Sequence, residues 1–169
     1  DPPPTPDPGG VMTITLQVEL QGRGTAPDSR WRENVWLDLA PPGGGPIQHS
    51  YTTTLSKRGK ATFANVPQGV YDVQTRTATS LTNIWYARSC GAGDHLIGLG
   101  CLAEGDGNQD GQVSILDFSR LAAAYGLSAG DPGYDAQADY NGDGAINLPD
   151  FSLLASNYGL TGPLNAVMR

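Results

Sequence analysis

The stretch that decides the C-terminal fold is Asp106-Gly-Asn-Gln-Asp-Gly-Gln-Val-Ser-Ile-Leu-Asp-Phe-Ser-Arg-Leu-Ala-Ala-Ala-Tyr-Gly-Leu127. It recurs as Asp139-Tyr-Asn-Gly-Asp-Gly-Ala-Ile-Asn-Leu-Pro-Asp-Phe-Ser-Leu-Leu-Ala-Ser-Asn-Tyr-Gly-Leu160. The offset is 33 residues, from Asp106 to Asp139, and it holds throughout without a gap. A repeat of this kind is one supersecondary unit used twice. Each copy opens with carboxylates and amides around a central glycine, which predicts a tight loop. Apolar residues at helical spacing follow, predicting an amphipathic helix that stops at Gly126 or Gly159.

The loops have the pattern of a twelve-residue calcium site. Such a loop takes side-chain oxygens from its first, third and fifth residues and a backbone carbonyl from the seventh. The ninth often acts through water, the twelfth supplies a carboxylate, and glycine at the sixth allows the sharp turn. The first copy places Asp106, Asn108, Asp110, Gly111, Gln112, Ser114 and Asp117 in those positions; the second places Asp139, Asn141, Asp143, Gly144, Ala145, Asn147 and Asp150. Hard oxygen donors suit calcium better than zinc or copper. Magnesium is disfavoured by its smaller octahedral cage. One such match is also what a solvated, Asx-rich turn looks like. Two in register, each running into the same helix, point to metal, and two Ca2+ ions per chain are expected.

Two departures from an ordinary EF-hand stand out. Position 12 is Asp117 and Asp150 instead of the longer Glu, so the carboxylate must come closer. No entering helix precedes either loop: Leu96–Leu102 reads as strand, and Asp131-Pro-Gly133 precedes the second. A sensor that swings two helices apart needs that helix, so a fixed, metal-stapled shape is expected. Val113 and Ile146, at loop position 8, are assigned to a shared core. So are Phe118, Leu121 and Tyr125 with Phe151, Leu154 and Tyr158.

Loop-plus-exiting-helix pairs with Asp at position 12, duplicated over residues 104–160, resemble dockerins. The connecting Asp131-Pro-Gly-Tyr-Asp-Ala-Gln-Ala138 resembles that family's linker before its second loop. The resemblance implies a small all-α, secreted bacterial or archaeal module of cellulosome-like systems that break down polysaccharides. Its partner would be a cohesin domain on a scaffold or cell-surface protein. It also implies where partner-selecting side chains lie: Ile115, Leu116, Ala122 and Ala123 in the first repeat, and Leu148, Pro149, Ala155 and Ser156 in the second. Ser119 and Ser152 sit beside them. In the best-known type the loop positions are small hydroxyl residues and the helix positions basic; here they are apolar and small, implying a greasier contact. Nearly equal faces imply two docking orientations related by a half-turn. Leu116 for Pro149, Arg120 for Leu153 and Ala124 for Asn157 make the faces unequal.

Upstream the pattern changes. Residues 1–10, DPPPTPDPGG, carry five prolines and read as an extended linker from a preceding module. The chain opens on Asp1 without an initiator Met, as expected of a segment of a longer polypeptide. From Val11 to Leu20, Met12, Ile14, Leu16, Val18 and Leu20 alternate with polar residues, as a half-buried strand requires. Further strands are predicted at Asn34–Leu39, Ser50–Leu55, Lys60–Phe63, Gly69–Thr77, Thr82–Ala87 and Leu96–Leu102. Segments such as Pro41-Pro-Gly-Gly-Gly45 and Lys57-Arg-Gly59 separate several of them. Residues 11–103 are therefore expected to form an all-β antiparallel sandwich of the Ig or prealbumin-like kind, and residues 104–169 a separate helical module. Within the sandwich, Gly59-Lys-Ala-Thr-Phe-Ala-Asn-Val-Pro-Gln-Gly-Val-Tyr-Asp-Val73 resembles a stretch of carboxypeptidase regulatory-like and Cna-B-like sandwiches, with Phe63, Val66, Tyr71 and Val73 facing inward. Some of those relatives form a Lys–Asn isopeptide bond from a first-strand Lys; the first strand here has none.

Charge separates the two parts. Residues 1–103 hold eight acids against eight Lys and Arg, whereas residues 104–169 hold nine acids against Arg120 and Arg169, so the whole net charge of −7 lies in the second part. Clustered carboxylates call for a cation. Without a basic patch, a nucleic-acid partner is excluded. No apolar run is long enough for a membrane helix, and a monomer is expected. Cys90 and Cys101 read either as a disulfide closing a short hairpin, which would fit an extracellular setting, or as reduced, buried thiols. Trp31, Trp36, Trp85 and Tyr86 read either as a carbohydrate-stacking platform or, for Trp36 and Trp85, as strand core. No nucleophile–base spacing or phosphate loop appears, so no catalytic residue is expected. The competing reading is a calcium-stabilised stalk or carbohydrate-binding module without a cohesin partner.

Overall fold

The computed structural model describes residues 9–166. The Pro-rich segment read as a linker lies almost wholly outside them.

Alternating apolar residues make β1 (Val11–Leu20), whose Met12, Ile14, Leu16, Val18 and Leu20 are all buried. Six further strands follow: β2 (Asn34–Ala40), β3 (His49–Thr54), β4 (Lys60–Pro67), β5 (Gly69–Arg76), β6 (Asn83–Cys90) and β7 (Gly93–Leu102). They form two sheets, ordered β4-β1-β7 and β3-β2-β5-β6, with a short β8 (Leu164–Asn165) added beside β6. Ile14, Leu16, Leu37, Leu39, Val73, Ile97 and Leu99 fill the space between them. The corner between β4 and β5 is built as its sequence predicts, with Phe63, Val66, Tyr71 and Val73 buried. The Tyr71 hydroxyl donates to the Pro67 carbonyl at 3.3 Å. A Cβ on Gly69 would lie 2.5 Å from the Tyr71 ring, so any larger residue there would have to displace that ring.

Two expectations are corrected. The sheets are mixed, because β1 pairs parallel with β7 and β6 pairs parallel with β8. Period-two patterning tells which face of a strand is buried; it carries no information about the neighbour or its direction. The second correction concerns the disulfide: Cys90 and Cys101 are not joined. The turn after β6 is at Gly91–Ala92, not midway between the cysteines, so β7 carries Cys101 to the far end of the sandwich. Eight residues from Gly93 at a strand rise of about 3.3 Å place it roughly 26 Å along. Cys90 lies in the sandwich core, where burial pushes its thiol up from its ordinary pKa.

The C-terminal module contains α1 (Ile115–Ala124) and α2 (Leu148–Asn157). Each starts at a polar cap, Ser114 or Asn147, and ends before a glycine with φ of 86°, Gly126 or Gly159. Backbone bonds then cross between repeats in matching fashion. Val113 N–H donates to Leu160 O and Gly159 N–H to Val113 O, while Ile146 N–H donates to Leu127 O and Gly126 N–H to Ile146 O. The loop of each copy is thus tied to the exit of the other's helix, which gives the module an approximate two-fold axis.

The two parts share an interface with no linker. Gly105 and Asp106 N–H both donate to Thr79 O, and Leu81 N–H donates to Ala103 O. Leu81, from the β5–β6 connection, is fully buried in the second core with Val113, Leu121, Tyr140, Ile146 and Leu154. Asn157 of α2 donates to the Gln21 side chain at 2.6 Å. The chain end then returns to the sandwich as β8, with Ala166 in its core.

Candidate functional site

Both loops close on themselves through the same bonds. In the first, Asp106 accepts from Asp110 N–H and Gly111 N–H, both at 3.1 Å. Asp117 accepts from Asn108 N–H at 3.1 Å and Ser114 N–H at 2.8 Å. In the second, Asp139 accepts from Asp143 N–H at 3.2 Å and Gly144 N–H at 2.9 Å, and Asp150 accepts from Asn141 N–H at 3.1 Å and Asn147 N–H at 2.9 Å. The sequence repeat is therefore a repeat of conformation down to individual oxygens. The predicted donors gather around each turn: the Asn108 amide donates to the Asp110 carboxylate at 2.8 Å, and the Asn141 amide donates to the Asp143 carboxylate at 2.8 Å.

These loops hold buried negative charge that no Lys or Arg neutralises through an ion pair among the described residues. Asp106, Asp117, Asp139 and Asp150 are buried, and none of the ion pairs among the described residues includes a loop carboxylate. Burial pushes the Asp106 carboxyl up to about 6, with Asp117 and Asp110 adding to the rise while the Gly111 amide opposes it. Burial likewise raises Asp150. Buried carboxylates in such a place need a counter-charge. In the second loop the Asn147 Oδ1, at position 9, is buried without a partner. Among the described residues no group of three or more His, Cys, Asp or Glu forms a metal cage by itself. A calcium loop mixes carboxylates with amide and backbone oxygens, and the position that offers a backbone carbonyl in that pattern is held here by Gln112 and Ala145.

Surrounding tyrosines brace the loops. Tyr134 donates its hydroxyl to Asp139 at 2.7 Å, and Tyr140, fully buried, packs its hydroxyl where a Cβ on Gly107 would lie 3.0 Å away. Arg120 donates to the Gly107 carbonyl at 3.1 Å and pairs with Asp135 in the connecting segment.

The helical faces differ from expectation. Val113, Ile146, Leu121 and Leu154 are buried as assigned, but Phe118 is 36% exposed, Tyr125 52%, Phe151 39% and Tyr158 55%. The reason is geometric. The position-12 carboxylate must look back into its loop, so α1 buries Asp117, Leu121 and Ala124, and α2 buries Asp150, Leu154 and Asn157. At about 100° per residue, this turns position 13 outward. Phe118 and Phe151 then meet edge-on across the two-fold axis, ring centroids 6.2 Å apart. Phe118, Leu121, Ala122, Tyr125, Leu148 and Phe151 line an open apolar groove between the helices.

The ten residues expected to select a partner (Ile115, Leu116, Ser119, Ala122, Ala123, Leu148, Pro149, Ser152, Ala155 and Ser156) are all exposed. Ile115, Leu116 and Leu148 are about as open as any large apolar side chains in the module. The aromatics were missed as surface residues although a signal for them was present, since an inward Asp at position 12 forbids an inward Phe at 13.

The aromatic residues of the sandwich offer less. Trp31 is buried, the Arg76 guanidinium lies 4.7 Å from the Trp36 ring centroid, and that of Arg88 lies 4.6 Å from Trp85. Tyr86 is exposed. No helix among the described residues is long and apolar enough to cross a membrane.

Residues 104–157 match the family model described as Dockerin type I domain. That segment is a dockerin. Over both modules, the chain has the fold of chains in two crystal structures of type II cohesin–X–dockerin complexes from Acetivibrio cellulolyticus. One is a C-terminal interface mutant, at 21% identity, covering 89% of this chain and 97% of that one with a TM-score of 0.69. The other is an N-terminal interface mutant, at the same identity and coverage, with a TM-score of 0.68. At this identity the likeness shows the shared fold, and it takes in the sandwich as well as the dockerin. No curated protein matches the chain.

Proposed function

We propose that this chain is a calcium-dependent docking module whose dockerin binds a cohesin domain on a scaffold or cell-surface protein, outside the cell, with the β-sandwich as its brace. The observation that carries this reading is the open apolar groove between the helices, lined by Phe118, Leu121, Ala122, Tyr125, Leu148 and Phe151, with Ile115, Leu116 and Tyr158 also exposed. A soluble surface seldom leaves so many large apolar side chains together unless a partner covers them. Both repeats contribute to this apolar face, and Ile115, Leu116 and Leu148 stand at the ends of the acidic loops where the helices begin.

Calcium would be held by Asp106, Asn108, Asp110, Gln112, Ser114 and Asp117 in the first loop, and by Asp139, Asn141, Asp143, Ala145, Asn147 and Asp150 in the second. It would supply the charge that the buried carboxylates lack and so fix α1 and α2 at the angle that builds the face. The function is docking and not catalysis. The fold shared with cohesin–X–dockerin complexes supports the partner, and the apolar character of the face supports a cohesin with an apolar contact surface. A stalk without a partner would leave the groove open to water.

A panel of cohesins titrated with the full chain, in calcium and in chelator, tests this reading. At least one should bind in calcium and lose its affinity in chelator. No binding across the panel, or binding indifferent to calcium, would favour the stalk.

A further inference from the structure

The fourth residue of each calcium loop differs in identity but not in backbone. It is Gln109 in the first loop and Gly142 in the second, with φ of 60° and 66°. Glycine is at ease in that left-handed conformation, whereas a glutamine is strained. Each position is met by an arginine from the sandwich. Arg76, the last residue of β5, donates to Gln109 Oε1 at 3.1 Å. Its guanidinium is held over the Trp36 ring, which limits where it can point. Arg23, in the turn after β1, is buried; it pairs with Glu33 and donates to the Arg30 carbonyl at 2.9 Å. A Cβ added to Gly142 would lie 2.5 Å from Arg23 Nη1. The sandwich therefore occupies the side-chain space at one loop and grips the side chain at the other.

We propose that the sandwich holds both calcium loops at their fourth residues, through Arg76 on Gln109 and Arg23 on Gly142, and thereby raises the calcium affinity of the docking module. This rests on the calcium reading above. Position 4 gives no ligand in such a loop, so these contacts order the turn without competing for the ion. A turn ordered beforehand loses less conformational entropy when metal arrives. Arg23 and Arg76 are positioning residues: they act on the metal only through the loop backbone. The inference also accounts for a strained glutamine where its twin is glycine.

Calcium calorimetry on the full chain tests it loop by loop. In an Asp143→Ala background, which silences the second loop, Gln109→Gly relieves the strained backbone. Local conformation alone would leave affinity equal or tighter; the clamp makes it about 3–10-fold weaker, the size of one lost hydrogen bond. Arg76→Met should weaken the first site equally, the double variant no further, and Arg76→Lys should restore most of the loss. In an Asp110→Ala background, Arg23→Lys keeps a charge opposite Glu33 but withdraws the guanidinium from Gly142. It should weaken the second site by a similar factor. Unchanged affinity in Gln109→Gly, or a lowered melting temperature with unchanged affinity in Arg23→Lys, would overturn the clamp. A wild-type chain that binds no calcium would instead overturn the calcium reading beneath it.

Discussion

The sandwich and the dockerin bury their residues by different means. The sandwich encloses an apolar core between two sheets whose strands span up to ten residues, and its ladders satisfy the backbone. The dockerin has two helices of ten residues each, and each turns a carboxylate inward, Asp117 and Asp150. A helix of that length is marginal by itself, and a buried carboxylate without a counter-charge is unfavourable. One region therefore carries its stability in apolar burial. The other needs a cation to complete its interior, and it borrows Leu81 and the Gln21 amide from its neighbour as well. The acidity confined to residues 104–169 is the sequence's trace of that difference.

This contrast predicts a large, one-sided response to metal removal. Chelator should abolish most of the helical circular dichroism while the sandwich keeps its strand signal and tryptophan environment, because metal-binding energy is folding energy in such small modules. Equal loss in both regions would mean that the interface couples them into one cooperative unit.

Next in size is the loss of a single site. Asp110→Ala should reduce the calcium stoichiometry measured by calorimetry from two ions to one, and Asp143→Ala should do the same for the other loop. An unaltered stoichiometry in either would show that loop to be ornamental.

Leu81 probes the boundary. It belongs to the sandwich by sequence and to the dockerin by packing, with no exposed surface. Leu81→Ala should cost about 2–5 kcal/mol, and the loss should appear in the helical transition instead of the strand transition. A loss confined to the strands would redraw the border between the two cores.

A smaller change is expected in stability, but not in binding, at the apolar face. Phe118→Ala with Phe151→Ala should leave helicity and calcium stoichiometry intact while weakening a bound cohesin by about 2 kcal/mol or more. Replacing Ile115 and Leu116 with Asp, and in parallel Leu148 and Pro149, separates the repeats. Loss in only one of these variants would mean a single docking orientation.

Much of this was legible in the repeat itself. The register of Asp106 with Asp139 predicted both loops and both glycine stops, because each depends on residues within one turn of the chain. β1 was equally legible, since its alternation reports local exposure. The parallel pairing of β1 with β7 was not, because partner and direction depend on residues far apart in sequence, such as Met12 and Gly93. The disulfide failed for a related reason: spacing along the chain says nothing about where a turn falls, and Gly91–Ala92 put the cysteines at opposite ends. The aromatics failed through rotation. Counting i, i+3 and i+7 from Phe118 selected a face about 60° from the one that Asp117 claims, which moved four rings from the core to the surface. The sandwich's hold on Gln109 and Gly142 could not have been read at all, since it joins residues from separate modules.

The most direct measurement is a calcium titration of the metal-free chain in which helicity and cohesin affinity are followed on the same samples. The account predicts that both rise together over one range of calcium, while the near-ultraviolet signal of the sandwich tryptophans stays level. Full helicity before any calcium is added, or cohesin affinity that does not follow it, would contradict the claim that metal builds the docking face.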